Sequence, residues 1–338
     1  MTDGARRPAV LVTRHLPGSS VEGLRDRFKF DHHDRNEAMS RGELLRRIRG
    51  VDGVLLSGSD RVDDELLDAA GPALRVVSSF GVGYDHIEVP ACTARSVMVA
   101  NTPDVLTEAT AELTWALILA AARRVAEGDR LIRQGGPWPA GLAAMLAHGL
   151  EGKVLGVVGL GRIGRAVARR GLAFGMRIAY HGRRRAEPDV EEALAASFFG
   201  LDDLLAEADV VTLHTSLSPE TQHLIDARRL GLMKPTAVLV NTSRGPVVDE
   251  AALVDALRTQ RILAAGLDVF EREPEVHPGL LELENVVLVP HLGSATVETR
   301  TAMSALAVEN LIEGVEGRRP RYLVNPEVWE TLANRVSG

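Results

Sequence analysis

KVLGVVGLGRIGRAVARRGLAFGMRIAYH, residues 153–181, spells a strand, a glycine turn, a helix and a second strand. The apolar run from Lys153 to Val158 predicts a buried strand, Arg165 to Phe174 carries a helical pattern, and Arg177 to Tyr180 returns to strand. Between the first strand and the helix stands Gly159-Leu160-Gly161-Arg162-Ile163-Gly164, a G-x-G-x-x-G turn. Alone that pattern is weak. Placed between a strand and a helix, its glycines permit a tight turn, close approach of backbone to a pyrophosphate, and close helix packing. The helix N-terminus then presents partial positive charge to the phosphates, so the block predicts a dinucleotide-binding βαβ unit.

The end of the second strand bears on which dinucleotide. An acid there would bind the ribose 2'-hydroxyl of NAD. This chain instead reads Tyr180-His181-Gly182-Arg183-Arg184-Arg185. His181, Arg183 and Arg184 suit a 2'-phosphate, which predicts preference for NADP(H) with NAD(H) still possible. Arginine is abundant throughout, since Lys29, Lys153 and Lys234 are the only lysines among 39 basic residues, so the missing acid carries more weight than any one guanidinium.

Outward from this block, apolar runs at Val210 to Leu213, Ala237 to Val240, Ala264 to Leu267 and Val286 to Val289 alternate with helical patterns and continue a doubly wound sheet. The first hundred residues repeat the theme, with strands expected at Ala9 to Thr13, Gly53 to Leu56, Leu74 to Ser78 and Val97 to Asn101, and helices at Ser40 to Arg49 and Asp63 to Ala70. A long amphipathic stretch starts at Asn101, and a Gly- and Pro-rich loop from Gln134 to Gly141 carries Trp138. A last helix, about Val297 to Glu313, returns the chain to the first domain. The fold class is therefore α/β: two Rossmann-like doubly wound domains with a cleft between them. Residues 1–100 plus 294–338 form a discontinuous substrate-binding domain, and 101–293 form the dinucleotide-binding domain.

Bulk properties narrow the class of partner. The 338 residues carry a net charge of -7 with a pI near 5.8, which argues against nucleic acid or an anionic membrane as partner. Cys92 is the only cysteine, so a disulfide framework and a thiolate metal cluster are excluded, no metal site is expected, and a reducing cytoplasmic compartment is the default. The N-terminus MTDGARRPAV lacks the apolar core of a secretory signal and reads as a short tail. Leu113 to Ala122 falls short of the ~20 residues of a membrane span.

In such a sheet ligands bind beyond the carboxyl ends of the strands. AVLVN is followed by Thr242-Ser243-Arg244-Gly245, AAGLD by Val269-Phe270-Glu271-Arg272-Glu273-Pro274, VVLVP by His291-Leu292-Gly293-Ser294, and VVTL by His214-Thr215-Ser216. These bring together the residue types that reduction of a 2-oxo acid requires. Arg244 would hold the carboxylate and carbonyl oxygen. His291 would be the general acid, and Glu273 would orient its imidazole and favour its protonated form. Asp268, still on its strand, is open to a structural, cofactor-facing or catalytic role. In the first domain Ser78 to Asp85, SSFGVGYD, offers glycines that free backbone N–H groups for a small carboxylate.

Together FGVGYD, NTPDVLTEATAEL, GLGRIG, NTSRGPVVDE, GLDVFEREPEV and PHLGSATVETR, between residues 78 and 300, resemble the D-isomer-specific 2-hydroxyacid dehydrogenases. NTPDVLTEAT, FEREPEV and ATVETR are most similar to the glyoxylate/hydroxypyruvate reductase branch, in which NADPH is usual. The resemblance implies a triad of Arg244, Glu273 and His291 and a carboxylate loop at Val82 and Gly83. It further implies pyrophosphate contacts from Arg162 and Ile163, nicotinamide-side contacts from Thr242 and Asp268, with Ser243 and Gly293 beside them, and adenosine-side contacts from Ser216 and Thr221. Many relatives carry proline at Ser216 and the NAD users carry aspartate at His181. A homodimer is implied, with the helix after residue 103 in the contact and Trp138 reaching toward the partner's site. Two alternatives stay open: the same architecture acting on another substrate, such as phosphoglycerate, lactate, formate or phosphite, and a dinucleotide-sensing binding protein. The intact Arg, Glu and His favour an enzyme.

Overall fold

Five strands, β1 (Ala9–Val12), β2 (Lys29–His32), β3 (Gly53–Ser57), β4 (Val76–Phe80) and β5 (Met98–Ala100), pair in parallel in the order β2-β1-β3-β4-β5. They come from a computed structural model that describes residues 6–336; residues 1–5 of the expected N-terminal tail lie outside the described residues. The chain divides into two units, Met1–Leu106 with Thr296–Gly338, and Thr107–Ala295. Each is a parallel α/β sheet, the fold class read from the sequence.

In the first unit β2 has no counterpart among the expected strands. Its residues KFDH are only partly buried at the sheet edge, so they lack the apolar run that marks the inner strands. The helix Val297–Val315 begins at Thr296, whose hydroxyl accepts the Thr299 N–H (3.1 Å), and lies across β3 and β4 at close range. A Cβ on Gly314 would stand 2.5 Å from Val76 Cβ, and one on Gly53 2.5 Å from Val315 Cγ2. Small residues at the crossing thus let helix backbone approach strand backbone. Two side chains secure the contact: Ser78 Oγ donates to the Ala307 carbonyl (2.8 Å) and Arg75 to the Val315 carbonyl (3.0 Å).

The other edge of this sheet is covered. Buried Asn325 accepts the Val99 N–H (2.8 Å) and donates to the Val97 carbonyl (2.9 Å) and Thr93 Oγ1 (3.0 Å), so its carboxamide takes the place of a neighbouring strand along β5. The next helix, Pro326–Val336, is a further element that the sequence pattern does not announce. Past β5 the chain stays tied to the first unit, because Thr102 N–H donates to the Gly81 carbonyl (2.9 Å) and Tyr322 donates to Asp104 (3.0 Å). The units therefore change at 106/107 and 295/296, a few residues beyond the expected 100/101 and 293/294.

The second unit contains seven parallel strands, β6 (Val154–Val158), β7 (Arg177–His181), β8 (Ala196–Phe198), β9 (Val210–Leu213), β10 (Val238–Asn241), β11 (Ala264–Leu267) and β12 (Val286–Leu288), ordered β12-β11-β10-β9-β6-β7-β8. The inner strands are buried along their whole length, as a parallel sheet covered on both faces requires. Three-residue β8, exposed at two positions, is invisible in the sequence for the same reason as β2. Gly156 and Gly171 face Leu204 and Leu155 at 2.8 Å from a would-be Cβ, which brings the flanking helices onto the sheet. The long helix runs Thr107–Ala122, and Trp115 on it stacks on Phe174 (4.5 Å between centroids) while donating Nε1–H to the Val167 carbonyl (3.1 Å). Among the described residues no helix is long and apolar enough to cross a membrane.

Gly314→Ala should lower the melting temperature. The forced contact with Val76 costs about 1–3 kcal/mol, which outweighs the ~1 kcal/mol that alanine gains in helix propensity. Thermal unfolding monitored by circular dichroism checks this; a higher melting temperature would show that the helix is not held as close to β4 as described.

Candidate active site

The glycine turn after β6 is shaped by close backbone contact. Gly159 has φ of +99°, and a Cβ there would stand 2.7 Å from the His214 carbonyl oxygen at the end of β9. At Gly164 a Cβ would lie 2.1 Å from the Gly159 carbonyl oxygen. Only glycine fits either place. Gly161 differs, since an added Cβ there meets nothing within 4 Å and faces open space. The helix begins at Arg162, three residues earlier than its apolar pattern suggests, and its N-cap Gly161 provides no side-chain cap. Arg162 and Ile163 therefore lie in a first turn whose N–H groups are directed out of the helix end.

This helix end stands where the strand order reverses, between β6 and β9. Open space above Gly161, an uncapped N-terminus and a floor of backbone fit the pyrophosphate of a dinucleotide. His214 beneath adds no charge: its Nε2 pairs with Thr212 Oγ1 (2.9 Å), and burial pushes its ring down to about 3, so it is neutral at working pH.

At the end of β7, His181 Nδ1 donates to the Phe199 carbonyl (3.0 Å), leaving Nε2 for another partner. Arg183 and Arg184 are exposed, and among the described residues neither is in an ion pair. Arg185 differs from them: it is bound to Glu191 (2.9 Å), which also accepts the Tyr180 hydroxyl. One acid near this turn is not apparent from the sequence. Glu220 is held below the ordinary carboxylate range, chiefly by the Ser218 hydroxyl and in lesser part by the charge of Arg183. It comes from the 216–221 loop, distant in sequence. In that loop Thr221 Oγ1 donates to the Ser216 carbonyl (2.7 Å) and accepts the Ser218 N–H (2.7 Å), so this hydroxyl shapes the turn.

The ends of β10, β11 and β12 bring Arg244, Glu273 and His291 together. Asn241, the last residue of β10, folds the next turn onto itself: its Oδ1 accepts Ser243 N–H (3.0 Å) and Oγ–H (2.8 Å), and its Nδ2 donates to the Arg244 carbonyl (2.9 Å). Thr242 is fixed from the other side by Thr114, whose own proton goes to the Thr110 carbonyl (2.8 Å), so Thr242 donates to Thr114 (2.9 Å). Gly245 is pressed against the chain after β11, where a Cβ would lie 1.9 Å from the Phe270 carbonyl. The Arg244 turn and the Glu273 loop are in this way packed backbone to backbone.

Glu273 Oε1 accepts the Phe270 N–H (3.0 Å) and its Oε2 accepts Nδ1–H of His291 (2.7 Å). Nδ1 being so engaged, Nε2 of this half-exposed imidazole is the nitrogen left for a reacting atom. Burial would raise the Glu273 carboxyl, but the His291 hydrogen bond and charge, with help from Arg244, hold it below the usual range, so it is ionised. His291 has φ of +52°, in the left-handed region that residues other than glycine seldom adopt. What imposes it is Asp268, only 1% exposed, whose carboxylate accepts the N–H groups of Leu292 and Gly293 while its carbonyl accepts that of His291 (2.9 Å). Burial pushes the Asp268 carboxyl up against these bonds.

A second acid pair is likewise hidden in the sequence. Glu250 N–H donates to Glu271 Oε1 (3.0 Å) and Glu271 N–H to Glu250 Oε1 (2.7 Å), with His223 also on Glu271 (3.0 Å). Its signal is an acid two residues before Glu273 and another six after Arg244, which only a fold brings together. In the first unit, the turn after β4 has Gly81 at φ of +152°, and among the described residues the N–H groups of Val82 and Gly83 donate to no protein acceptor. Among the described residues no group of three His, Cys, Asp or Glu side chains could hold a metal ion.

Comparison with known proteins agrees with this geometry. Residues 115–293 match the NAD binding domain of the D-isomer specific 2-hydroxyacid dehydrogenases. The chain is 47% identical over 326 residues to a glyoxylate reductase of Thermococcus onnurineus, covering 95% of this chain and 97% of that one. Among solved structures it resembles the TT0316 protein of Thermus thermophilus with a TM-score of 0.86 and 46% identity, over 94% of this chain and 99% of that one. It also resembles an NADPH-dependent glyoxylate/hydroxypyruvate reductase of Sinorhizobium meliloti, solved with NADP and malonate, with a TM-score of 0.81 and 37% identity over 94% and 97% of the two chains. A glycine turn with room for a pyrophosphate is what this family's dinucleotide domain requires, and the matching family model with relatives that span nearly its whole length places the chain in the D-isomer specific 2-hydroxyacid dehydrogenase family, oxidoreductases that use a nicotinamide dinucleotide.

Proposed function

We propose that the protein reduces small 2-oxo acids, glyoxylate and hydroxypyruvate, to glycolate and D-glycerate, with preference for NADPH. The observation that carries the reading is the His291–Glu273 pair at 2.7 Å, its Nε2 left open, standing at a strand end beside Arg244. Arg244 is assigned to the substrate's carboxylate and carbonyl oxygen, as a planar fork that binds oxygens in pairs. The Val82 and Gly83 N–H groups are assigned to the carboxylate. When bound, the reduced nicotinamide supplies a hydride to C2. His291 then gives its Nε2 proton to the oxygen of the former carbonyl, completing a 2-hydroxy acid. Glu273, ionised and fixed by Phe270, holds the imidazole in the tautomer and orientation that this transfer requires. Asp268 keeps the backbone of residues 291–293 in the turn that aims the ring.

Preference for NADPH rests on the end of β7. His181, Arg183 and Arg184 present no carboxylate of their own to a 2'-phosphate, while Arg185 is already neutralised by Glu191. The relatives named glyoxylate reductase, and the NADPH-dependent Sinorhizobium enzyme, support both substrate and cofactor. A homodimer is proposed from the segment after the long helix. Val125 and Ile132, one face of the helix Val125–Arg133, and Trp138, Leu142 and Leu146 beyond it are all exposed, an apolar array that a second copy would cover.

His291→Ala should lower kcat for glyoxylate by ~10²–10⁴-fold, the usual worth of a positioned general acid, with NADPH affinity unchanged by fluorescence titration. Wild-type turnover would remove His291 from the mechanism. Replacing Arg183 and Arg184 together by Ala should raise KM for NADPH at least ~10-fold, the loss of one to two charge-assisted bonds, and leave KM for NADH within a factor of about two. An equal loss for both cofactors would refute the 2'-phosphate assignment. Light scattering should give a mass of twice the 36.4 kDa chain, reduced toward one chain by Trp138→Ser with Leu142→Ser; a monomeric wild type would reject the dimer.

A further inference from the structure

We propose that Asn101 and Thr102 are positioning residues for substrate: they clamp the 81–83 turn so that two backbone N–H groups, those of Val82 and Gly83, are its only free donors. The inference rests on the reading above that this turn holds the carboxylate of the 2-oxo acid. Its basis is a set of bonds between the end of β5 and the turn after β4. Thr102 is fully buried, and it is joined to Gly81 twice: its N–H donates to the Gly81 carbonyl (2.9 Å) and its Oγ1 accepts the Gly81 N–H (3.0 Å). Asn101 Nδ2 donates to the Val82 carbonyl (2.8 Å).

Asn101 is itself held at both ends of its backbone. Its carbonyl accepts Nδ2–H of Asn310 (3.0 Å), a fully buried residue of the helix Val297–Val315, and its N–H donates to the Tyr322 carbonyl (3.3 Å). With the Gly81 N–H and both the Gly81 and Val82 carbonyls so occupied, the donors remaining in the turn are Val82 and Gly83 N–H. A carboxylate needs such a pair of donors held in fixed relation, because two bonds to one anion are made well only when neither donor can rotate away. Strand pairing alone does not explain the pattern. β4 and β5 are in register only from Val76–Met98 to Ser78–Ala100, and beyond that one backbone bond, Thr102 N–H to the Gly81 carbonyl, is joined by two from side chains, the Thr102 hydroxyl and the Asn101 carboxamide. Isosteric removal of a side-chain acceptor at Thr102 should therefore loosen the turn with little change in packing volume.

The test compares Thr102→Val with Thr102→Ser in steady-state reduction of glyoxylate, with oxalate as a competing dicarboxylate. Thr102→Val should raise both KM for glyoxylate and the inhibition constant of oxalate about tenfold, ~1.4 kcal/mol, while saturated kcat and NADPH affinity stay within a factor of about two. Thr102→Ser, which keeps the acceptor, should restore both values. Asn325→Ala is the control for general loosening, since it removes three bonds around the same strand, none of them to the 81–83 turn. If Asn325→Ala raises KM as much as Thr102→Val at a matched loss of melting temperature, or if Thr102→Val binds oxalate like wild type, the clamp is wrong. If oxalate does not compete with glyoxylate in the wild type at all, the carboxylate assignment beneath it falls instead.

Discussion

The close passage of the Gly159 backbone over the His214 carbonyl is the constraint on which the dinucleotide unit turns. At 2.7 Å from a would-be Cβ, it leaves no room for any side chain, and it ties the end of β6 to the end of β9 where the sheet reverses its winding. That contact fixes the position of the helix start at Arg162, the open space over Gly161 and the placing of the next strand ends. A larger residue at 159 or 164 would displace the helix, and with it the uncapped N–H groups of its first turn, which suit a phosphate.

Opposed electrostatic effects set the protonation of two carboxylates, Asp268 and Glu273. Burial raises both Asp268 and Glu273, yet their surroundings divide them. Glu273 receives His291 and feels Arg244, and so is ionised. Asp268 accepts its hydrogen bonds from backbone N–H groups and feels the His291 charge only at second hand, and burial, with the Glu273 charge, dominates. Two carboxylates a few residues apart thereby take separate tasks, one as charged partner of an imidazole and the other as the anchor of the backbone that carries it. Around them, hydrogen bonds from Asn241 and the reciprocal Glu250–Glu271 pair fix loops that have no regular structure to hold them. The first unit uses the same device, with Asn101, Thr102 and Asn325 ordering backbone at the limits of a sheet.

The sequence by itself determined the fold class, the alternation of strand and helix, the dinucleotide turn and the strand ends that carry Arg244, Glu273 and His291. These are legible because they depend on local periods and on the residues directly after each apolar run. Edge strands β2 and β8 were not legible, since partial exposure removes the apolar signal. Tertiary structure alone decided which imidazole nitrogen faces Glu273, why His291 adopts its left-handed backbone, that Glu220 stands near Arg183, and that Asn101 and Thr102 secure a turn some twenty residues away. The physical reason is common to all four. Hydrogen bonds and charge act over a few ångströms in space between groups far apart in the chain, and no local pattern of residues records which of them will meet.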